Sequence, residues 1–180
     1  AETLRRIAQA ERRDVGDLTV MVLDRPRHIA LIEEIRAAGA RIRLIRDGDV
    51  AAAVYTALPE SGIDVLMGIG GAGEAVLGAC ALKCLGGEIL CRPYVRNQEE
   101  AEYLSRLQIA EDQVLSSDDL VKGEDIFFAI TGVTDGEVLQ GVKYFGRHAR
   151  THSIVTRSKT GTLRVIRTTY RWDRVMRILQ

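Results

Sequence analysis

The sequence predicts an α/β protein, in which a mostly parallel sheet carries helices on both faces and a C-terminal antiparallel β meander is appended. Apolar runs alternate with helical segments over the first 92 residues, which is typical of β-loop-α units and a parallel sheet. A polar or glycine-rich loop follows each of the first three runs. After Gly136 the pattern changes to alternating, β-branched segments joined by short turns, as in a meander.

The first elements follow from the positions of the apolar residues. Residues 2–13 predict an exposed amphipathic helix. Residues 18–23 are continuously apolar, which predicts a strand buried on both faces, and a helix then runs to about residue 38, where Gly39 ends it. Further strands are predicted at 41–46, 63–67 and 88–92, and further helices at 50–58, from the glycine loop to Leu85, and at 97–107.

Several strands are predicted in the later part of the chain. These are a short strand at 112–115, a strong one at 125–133, and three alternating strands at 138–146, 150–158 and 162–172. We therefore divide the chain into an α/β domain, residues 1–135, and a β meander, residues 136–180.

Composition excludes several classes of protein. Lys and Arg number 25, as do Asp and Glu, so the net charge is zero and gives no electrostatic reason to expect nucleic-acid binding, although basic residues cluster between Arg147 and Arg177. No apolar run reaches the roughly 18 residues of a membrane span. Three cysteines without a leader sequence predict a reducing, cytoplasmic location. Cys80 and Cys84 are best explained as small buried hydrophobes, with a metal pair as the alternative.

Chemically rich loops follow the first three predicted strands. They are Arg25-Pro26-Arg27, Asp47-Gly48-Asp49 and the segment from Gly70 to Glu74. Ligands of open α/β sheets bind outside the carboxyl ends of the strands, and parallel strands bring these ends to one edge. We therefore expect the three loops to lie together.

Each loop has a functional and a structural interpretation. Arg25 and Arg27 could clamp a phosphate or could be solvated surface groups, while His28 is expected to pack or cap. Asp47 and Asp49 could bind sugar hydroxyls or a metal, but capping of the next helix is favoured by the sequence alone.

The glycine-rich stretch is open to three interpretations. Glu74 could ligate Mg²⁺ or Mn²⁺, or could simply be an acid at a helix N-terminus. The spacing of Gly68, Gly70 and Gly73 also fits the dinucleotide fingerprint, but the motif follows the third strand rather than the first, which disfavours NAD.

Several of these segments together resemble one family. DRPRH, IRDGDVAAAV, DVLMGIGGAGEAVLGACALKCLGGE, AITGVTDGEVLQGV and SIVTRSKTGTLRVI occur in the order in which the class II (GlpX-type) fructose-1,6-bisphosphatases carry similar blocks. The family includes the cyanobacterial fructose/sedoheptulose bisphosphatases. The resemblance covers nearly the whole chain, but only the C-terminal portion of such an enzyme.

The resemblance implies a fold, a reaction and a set of site residues. The fold is the α/β/α/β/α layering of the sugar phosphatases. The reaction is hydrolysis of the 1-phosphate of fructose 1,6-bisphosphate with Mg²⁺ or Mn²⁺, in gluconeogenesis or the Calvin cycle, with sedoheptulose 1,7-bisphosphate as a second candidate substrate. Arg25-Pro26-Arg27, Asp47-Gly48-Asp49 and Gly71 would contact the substrate and Glu74 would bind the metal. We also expect a homo-oligomer.

The chain departs from the family pattern in ways that bear on activity. Gly73 replaces a usual Pro and Ala75 a usual Gly. The upstream Gly-Glu-Gly-Glu-type and Asp-Pro-Ile-(Asp/Glu)-Gly-Thr motifs, which supply the other metal carboxylates, do not occur in these 180 residues. We therefore expect a piece of a longer enzyme that is inactive alone, its meander leaving an apolar face or edge exposed. The alternative is a non-catalytic sugar-phosphate-binding or interaction protein derived from the same fold.

Overall fold

The structure is a computed structural model that describes residues 1–178. Its helices are α1 (Glu2–Glu11), α2 (Ile29–Ala37), α3 (Asp49–Thr56), α4 (Ala72–Leu85), α5 (Gln98–Arg106), α6 (Ser117–Leu120) and α7 (Trp172–Ile178). Its strands are β1 (Thr19–Leu23), β2 (Arg41–Ile45), β3 (Val65–Leu66), β4 (Leu90–Cys91), β5 (Leu115–Ser116), β6 (Phe127–Thr131), β7 (Lys143–Phe145), β8 (His148–Arg157) and β9 (Thr162–Arg171).

The parallel sheet has three strands in the order β2-β1-β3. Its central strand is buried on both faces, because Val20, Met21 and Val22 are each 0% exposed. This burial confirms the prediction from the continuous apolar run.

The helices and the two main sheets form successive layers. Leu18, Val20 and Val22 of the first strand region share a core with α1 and α2, whereas Met21 and Leu23 share one with α3 on the opposite face. A third core joins α3 and α4 to the antiparallel sheet. The order is thus helices, parallel sheet, helices, antiparallel sheet, which confirms the predicted α/β class with helices on both faces of the parallel sheet.

The antiparallel sheet is centred on β8. β9 pairs with it along the whole length, while β6 pairs with Ser153–Arg157 and β7 with His148–Arg150. Because β9 occupies one edge of β8, β6 and β7 lie end to end along the other edge. The consecutive strands β7, β8 and β9 form the predicted meander, and β6 joins them in one sheet.

The predicted fourth strand, residues 88–92, does not extend the parallel sheet. Only Leu90–Cys91 are in strand conformation, and they pair antiparallel with β5 in a separate sheet of two strands. Leu90 is 69% exposed, so no core holds this segment against β3. Glu88 instead accepts a hydrogen bond from the backbone N–H of Ser117 at 2.9 Å, which fixes the segment beside α6.

The predicted strand at 138–146 is shortened to Lys143–Phe145. The residues before it form a compact loop, in which Gly141 N–H donates to the Asp135 carboxylate at 2.9 Å. A Cβ at Gly132 would lie 2.2 Å from the carbonyl oxygen of Gln140, so the two arms of the loop touch through backbone. Leu139 of this loop is buried in the core that α3 and α4 share with the antiparallel sheet, so the segment packs inward instead of pairing as a strand.

One face of the antiparallel sheet is uncovered over most of its length in the described part of the chain, although Ala149 on this face is buried near Tyr144 and Trp172. Ile154 and Thr156 point inward to α4, whereas the odd-numbered residues of β8 and the residues paired with them form what we call the outer face. Phe127 is 65% exposed there, and Ile166 and Tyr170 are about 40% exposed. The expected exposed apolar face is therefore present.

Charge is divided unevenly along this fold. Residues 138–172, which contain β7, β8 and β9, carry eight Lys and Arg and no Asp or Glu. Residues 97–125, which contain α5, β5 and α6, carry nine Asp and Glu but only Arg106 and Lys122 as cations. Among residues 1–178, none of the helices combines the length and the hydropathy that crossing a membrane requires.

Candidate functional site

The three chemically rich loops lie at one edge of the parallel sheet, as predicted. Each follows the carboxyl end of a strand, β1, β2 or β3. Since the chain leaves β1 toward β2 on one side and returns to β3 on the other, the direction of winding reverses beside β1. In open α/β sheets a ligand-binding crevice forms at such a reversal.

The first loop is held by its two arginines. A short helical turn begins at Pro26, whose ring fixes φ at its start. Arg25 forms an ion pair with Asp47 of the second loop, and Arg27 donates from Nε to the carbonyl oxygen of Ile69, which directly precedes the third, at 2.9 Å. The two arginines thus connect the first loop to both of its neighbours, and the terminal nitrogens of Arg27 extend from an exposed side chain.

The aspartates of the second loop do not cap α3, so the favoured structural interpretation of Asp47 and Asp49 is wrong. The N-cap is Gly48, at φ +99°, and no side chain accepts a hydrogen bond at this helix start. A positive φ is easily adopted by glycine, which explains the residue between the two acids. Asp47 instead pairs with Arg25.

Asp49 reaches the third loop. A Cβ built on Gly70 would lie 2.8 Å from the Asp49 Oδ2 atom, so the carboxylate occupies the space beside the glycine backbone. The second and third loops therefore meet at Gly70, and a larger residue there would displace Asp49.

Glu74 folds back over the start of its own helix. Gly71 is the N-cap of α4, and a Cβ built on it would lie 2.1 Å from Glu74 Oε2. Only glycine at position 71 leaves the carboxylate in this place. The side chain is exposed and adjoins the first turn of α4, whose dipole favours a negative charge.

His28 was expected to pack or cap, and in the structure both of its ring nitrogens also form hydrogen bonds. It is fully buried and makes no capping bond; its Nδ1 lies 2.8 Å from the Leu23 carbonyl oxygen, and its Nε2 accepts from the Ile69 N–H at 2.8 Å. Ile69, which directly precedes the third loop, is 41 residues from His28 along the chain. The only local signal is its place directly after Arg25-Pro26-Arg27.

The residues present fit one part of a metal site. A hard divalent cation takes several oxygen ligands. Among residues 1–178, no group of three His, Cys, Asp or Glu side chains is arranged to hold a metal ion. Glu74, exposed and next to a glycine backbone, is suited to supply one carboxylate to a site completed by other groups.

The site is an open edge rather than an enclosed pocket. Two clefts in the described residues lie elsewhere: one of about 420 Å³ at the C-terminal ends of α3 and α4, and one of about 200 Å³ beside Pro59 and Asp64 at the amino end of the parallel sheet. Asp47, Gly70, Gly71 and Glu74 are all exposed.

Comparison with known proteins places the chain in a family. The family model described as bacterial fructose-1,6-bisphosphatase, glpX-encoded, matches residues 1–170. The chain is 41% identical to the D-fructose 1,6-bisphosphatase class 2/sedoheptulose 1,7-bisphosphatase of Synechococcus sp. (strain JA-3-3Ab), over 96% of its own length and 53% of that protein. It is 38% identical to the fructose-1,6-bisphosphatase class 2 of Haemophilus influenzae, over 99% of its length and 57% of that protein.

The chain thus spans little more than half the length of these curated relatives. The family match nevertheless covers all three loops and both main sheets. The chain belongs to the glpX-encoded bacterial fructose-1,6-bisphosphatase family.

Proposed function

We propose that this chain forms the substrate-binding and metal-contributing part of a sugar bisphosphatase that hydrolyses the 1-phosphate of fructose 1,6-bisphosphate. The observation that carries the proposal is the meeting of three loops at the reversal of winding beside β1. There a fixed arginine, two carboxylates not used as caps, and a glycine backbone come together.

Phosphate binding is assigned to the first loop. The Nε of Arg27 is engaged by Ile69, so the guanidinium is oriented while its terminal N–H groups remain available for a phosphate. Arg25 forms an ion pair with Asp47, and this pair holds the Arg25 guanidinium between the first two loops. We assign binding of the sugar hydroxyls to Asp47 and Asp49. Gly71 has no side chain, so the backbone there can come close to the sugar.

Glu74 is assigned as a ligand of Mg²⁺ or Mn²⁺. A divalent cation bound there supplies Lewis-acid stabilisation of charge on phosphate oxygens. The chain's own contribution is to hold the carboxylate over Gly71, at the positive end of α4. Because one carboxylate cannot hold the metal alone, hydrolysis requires further ligands, which agrees with the chain covering about half of its relatives.

The shortage of metal-ligating side chains also favours a second function. Residues 1–178 provide no three-ligand metal group, yet they provide the arginines and glycines that a phosphosugar needs. The chain by itself is therefore proposed to bind a sugar bisphosphate without hydrolysing it. Sedoheptulose 1,7-bisphosphate, named in the Synechococcus relative, is the second substrate to test.

The experiment joins this chain to the half that it does not match. A chimera would carry the unmatched part of the Haemophilus influenzae relative before residue 1, and phosphate release from fructose 1,6-bisphosphate would be followed with Mn²⁺. We expect turnover in the chimera and none in the isolated chain. Glu74→Gln should abolish metal-dependent turnover, while Glu34→Gln, on the exposed side of α2, should not. Full activity of Glu74→Gln would remove Glu74 from the site.

Arg27 is tested by charge reversal in the same chimera. Arg27→Glu should raise KM by about tenfold to a hundredfold, because a charge-assisted phosphate contact is replaced by repulsion. Arg36→Glu is the matched control, since Arg36 is also exposed but lies on α2 away from the loops. An equal KM for the two variants would assign Arg27 to the solvated surface.

A further inference from the structure

Among residues 1–178, His28 is the one fully buried polar side chain that connects the end of β1 to the segment just before the third loop. It is 0% exposed, and both ring nitrogens are used. The Leu23 carbonyl can only accept, so Nδ1 carries the proton; the Ile69 N–H can only donate, so Nε2 does not. The two contacts therefore fix one neutral tautomer.

The imidazole connects the end of β1 to the segment that follows β3, at the place where the direction of winding reverses. Leu23 is the last residue of β1, and Ile69 belongs to the loop that follows β3. The ring lies so close to that loop that a Cβ on Gly68 would be 3.1 Å from Cε1. Gly68 is thus the residue that lets the ring and the loop backbone approach each other.

The two peptide groups that flank Ile69 are each held by a hydrogen bond to a side chain. His28 accepts from the N–H of Ile69, and Arg27 donates to its carbonyl oxygen at 2.9 Å. The glycines on either side, Gly68 and Gly70, are exposed and carry no side chain that could anchor the loop by packing. Hydrogen bonds with the consecutive residues Arg27 and His28 therefore hold the backbone that leads into the third loop.

We propose that His28 is a positioning residue for the phosphosugar site, acting through Ile69 to set the backbone from Gly70 to the N-terminus of α4. The role rests on the proposed function of that site. A ring that merely filled space could be replaced by Phe, but this would leave the part-buried Ile69 N–H without its partner, whereas the Leu23 carbonyl would still accept from the Arg25 N–H. The contact to Ile69 is the one that matters for the ligand, because it alone reaches the glycine loop.

The two contacts can be separated by substitution. In His28→Asn the amide nitrogen can take the place of Nδ1 and donate to Leu23, but nothing reaches Ile69. In His28→Gln the amide oxygen can take the place of Nε2 and accept from Ile69. Both variants shorten or reshape a buried side chain, so both should lower Tm by a similar amount.

The measurements are amide hydrogen exchange and ligand affinity in the full 180-residue chain. We expect His28→Asn to lose protection at the Ile69 amide and to bind fructose 1,6-bisphosphate about tenfold more weakly or worse, because the loop backbone is displaced. His28→Gln should keep Ile69 protected and bind within about threefold of the unsubstituted chain. Binding is measured by calorimetry with Mn²⁺ present.

Two outcomes would overturn the positioning role. One is equal loss of affinity in His28→Asn and His28→Gln, in proportion to their Tm values, which indicates packing alone. The other is an unchanged exchange rate at Ile69 and Gly70 in His28→Asn. If the unsubstituted chain does not bind the bisphosphate at millimolar concentration, the proposal that the chain binds it by itself fails, and the exchange rates alone then decide whether His28 positions this loop.

Discussion

At the scale of single residues, Asp64 shows how a carboxylate can join several elements. Its Oδ2 accepts from the Thr19 N–H at 2.6 Å and its Oδ1 from Arg13 at 2.5 Å, so it ties the starts of β1 and β3 to the turn after α1. Partial burial raises the pKa of Asp64, but the hydrogen bonds from Thr19 and Arg13 outweigh this effect and hold it below its ordinary value.

The lowered pKa makes the contribution of Asp64 depend on pH. A carboxylate with a depressed pKa stabilises the fold above its unfolded-state pKa of about 4, and the contribution is lost as pH falls through the lower folded-state value. Asp64→Asn should therefore lower the free energy of unfolding at pH 7 by about 1 kcal/mol, and the difference should shrink below about pH 4. Urea denaturation at pH 7 and pH 3 measures it.

Asp173 provides the control for Asp64. Its pKa is lowered to about 2 by the hydrogen-bonded pair with Arg171, but the pair lies at the surface, where solvent screens it. Asp173→Asn should cost less stability at pH 7 than Asp64→Asn in spite of its low pKa. Equal losses for the two variants, or a loss for Asp64→Asn that persists unchanged at pH 3, would contradict the role given to Asp64.

The sequence predicted which residues enter the candidate site better than it predicted what they do. The three loops could be placed together, because the carboxyl ends of parallel strands share an edge. The bond between His28 and Ile69 and the contact between Asp49 and Gly70 could not be predicted, since each joins residues more than twenty positions apart. Capping by Asp47 and Asp49 was a local expectation, and the positive φ of Gly48 overrode it.

At the scale of elements, α4 contains two glycines with opposite surroundings. Gly73 lies in its first turn, and a Cβ there would meet nothing within 4 Å. Gly78 is buried against α3, where a Cβ would lie 3.4 Å from that of Ala53. The first glycine is free to change, while the second sets how closely the two helices pack.

Substitutions in α4 should therefore separate propensity from packing. Gly73→Ala should raise the free energy of unfolding by about 0.5–1 kcal/mol, because alanine loses less backbone entropy in a helix. Gly78→Leu should lower it by about 1–3 kcal/mol, because the added atoms push α3 away. Thermal denaturation of the two variants tests both signs; a stabilised Gly78→Leu would show that the α3–α4 contact is not tight.

Element prediction succeeded where a core holds the segment. β1 and α2 have apolar residues that the structure buries, such as Val20 and Ile35, and their predicted positions are close to those observed. Residues 88–92 have the apolar composition of a strand, but their place beside β5 depends on Glu88 and Ser117, a contact that composition does not reveal. The loop before β7 likewise depends on close backbone contacts that Gly132 makes with Gln140 and Gly141 makes with Thr134 and Asp135.

At the scale of the whole molecule, the outer face is the feature most exposed to other surfaces. β9 is an edge strand of ten residues, and the face beside it carries Phe127, Ile166 and Tyr170 in contact with solvent. Unpaired strand edges and contiguous apolar surfaces favour association with other chains. Arg164 and Arg167 on the edge strand oppose such pairing by repulsion between like strands.

The 180-residue chain should therefore associate weakly through this face. Sedimentation velocity should show an average mass that rises with concentration, and the double variant Phe127→Lys/Ile166→Lys should suppress the rise. Val133→Lys is the control, because Val133 is 77% exposed but lies in the loop after β6. A strictly monomeric unsubstituted chain, or equal behaviour of the two lysine variants, would argue against association through the outer face.

The division of charge between residues 97–125 and residues 138–172 has a consequence for how the chain behaves in solution. Equal totals of positive and negative groups leave no overall repulsion between molecules, so colloidal stability near pH 7 is low. Unlike segments on different molecules instead attract one another over roughly one Debye length, about 10 Å at 0.1 M salt. Moderate salt weakens this attraction, so we expect the solubility of the chain to rise when moderate salt is added.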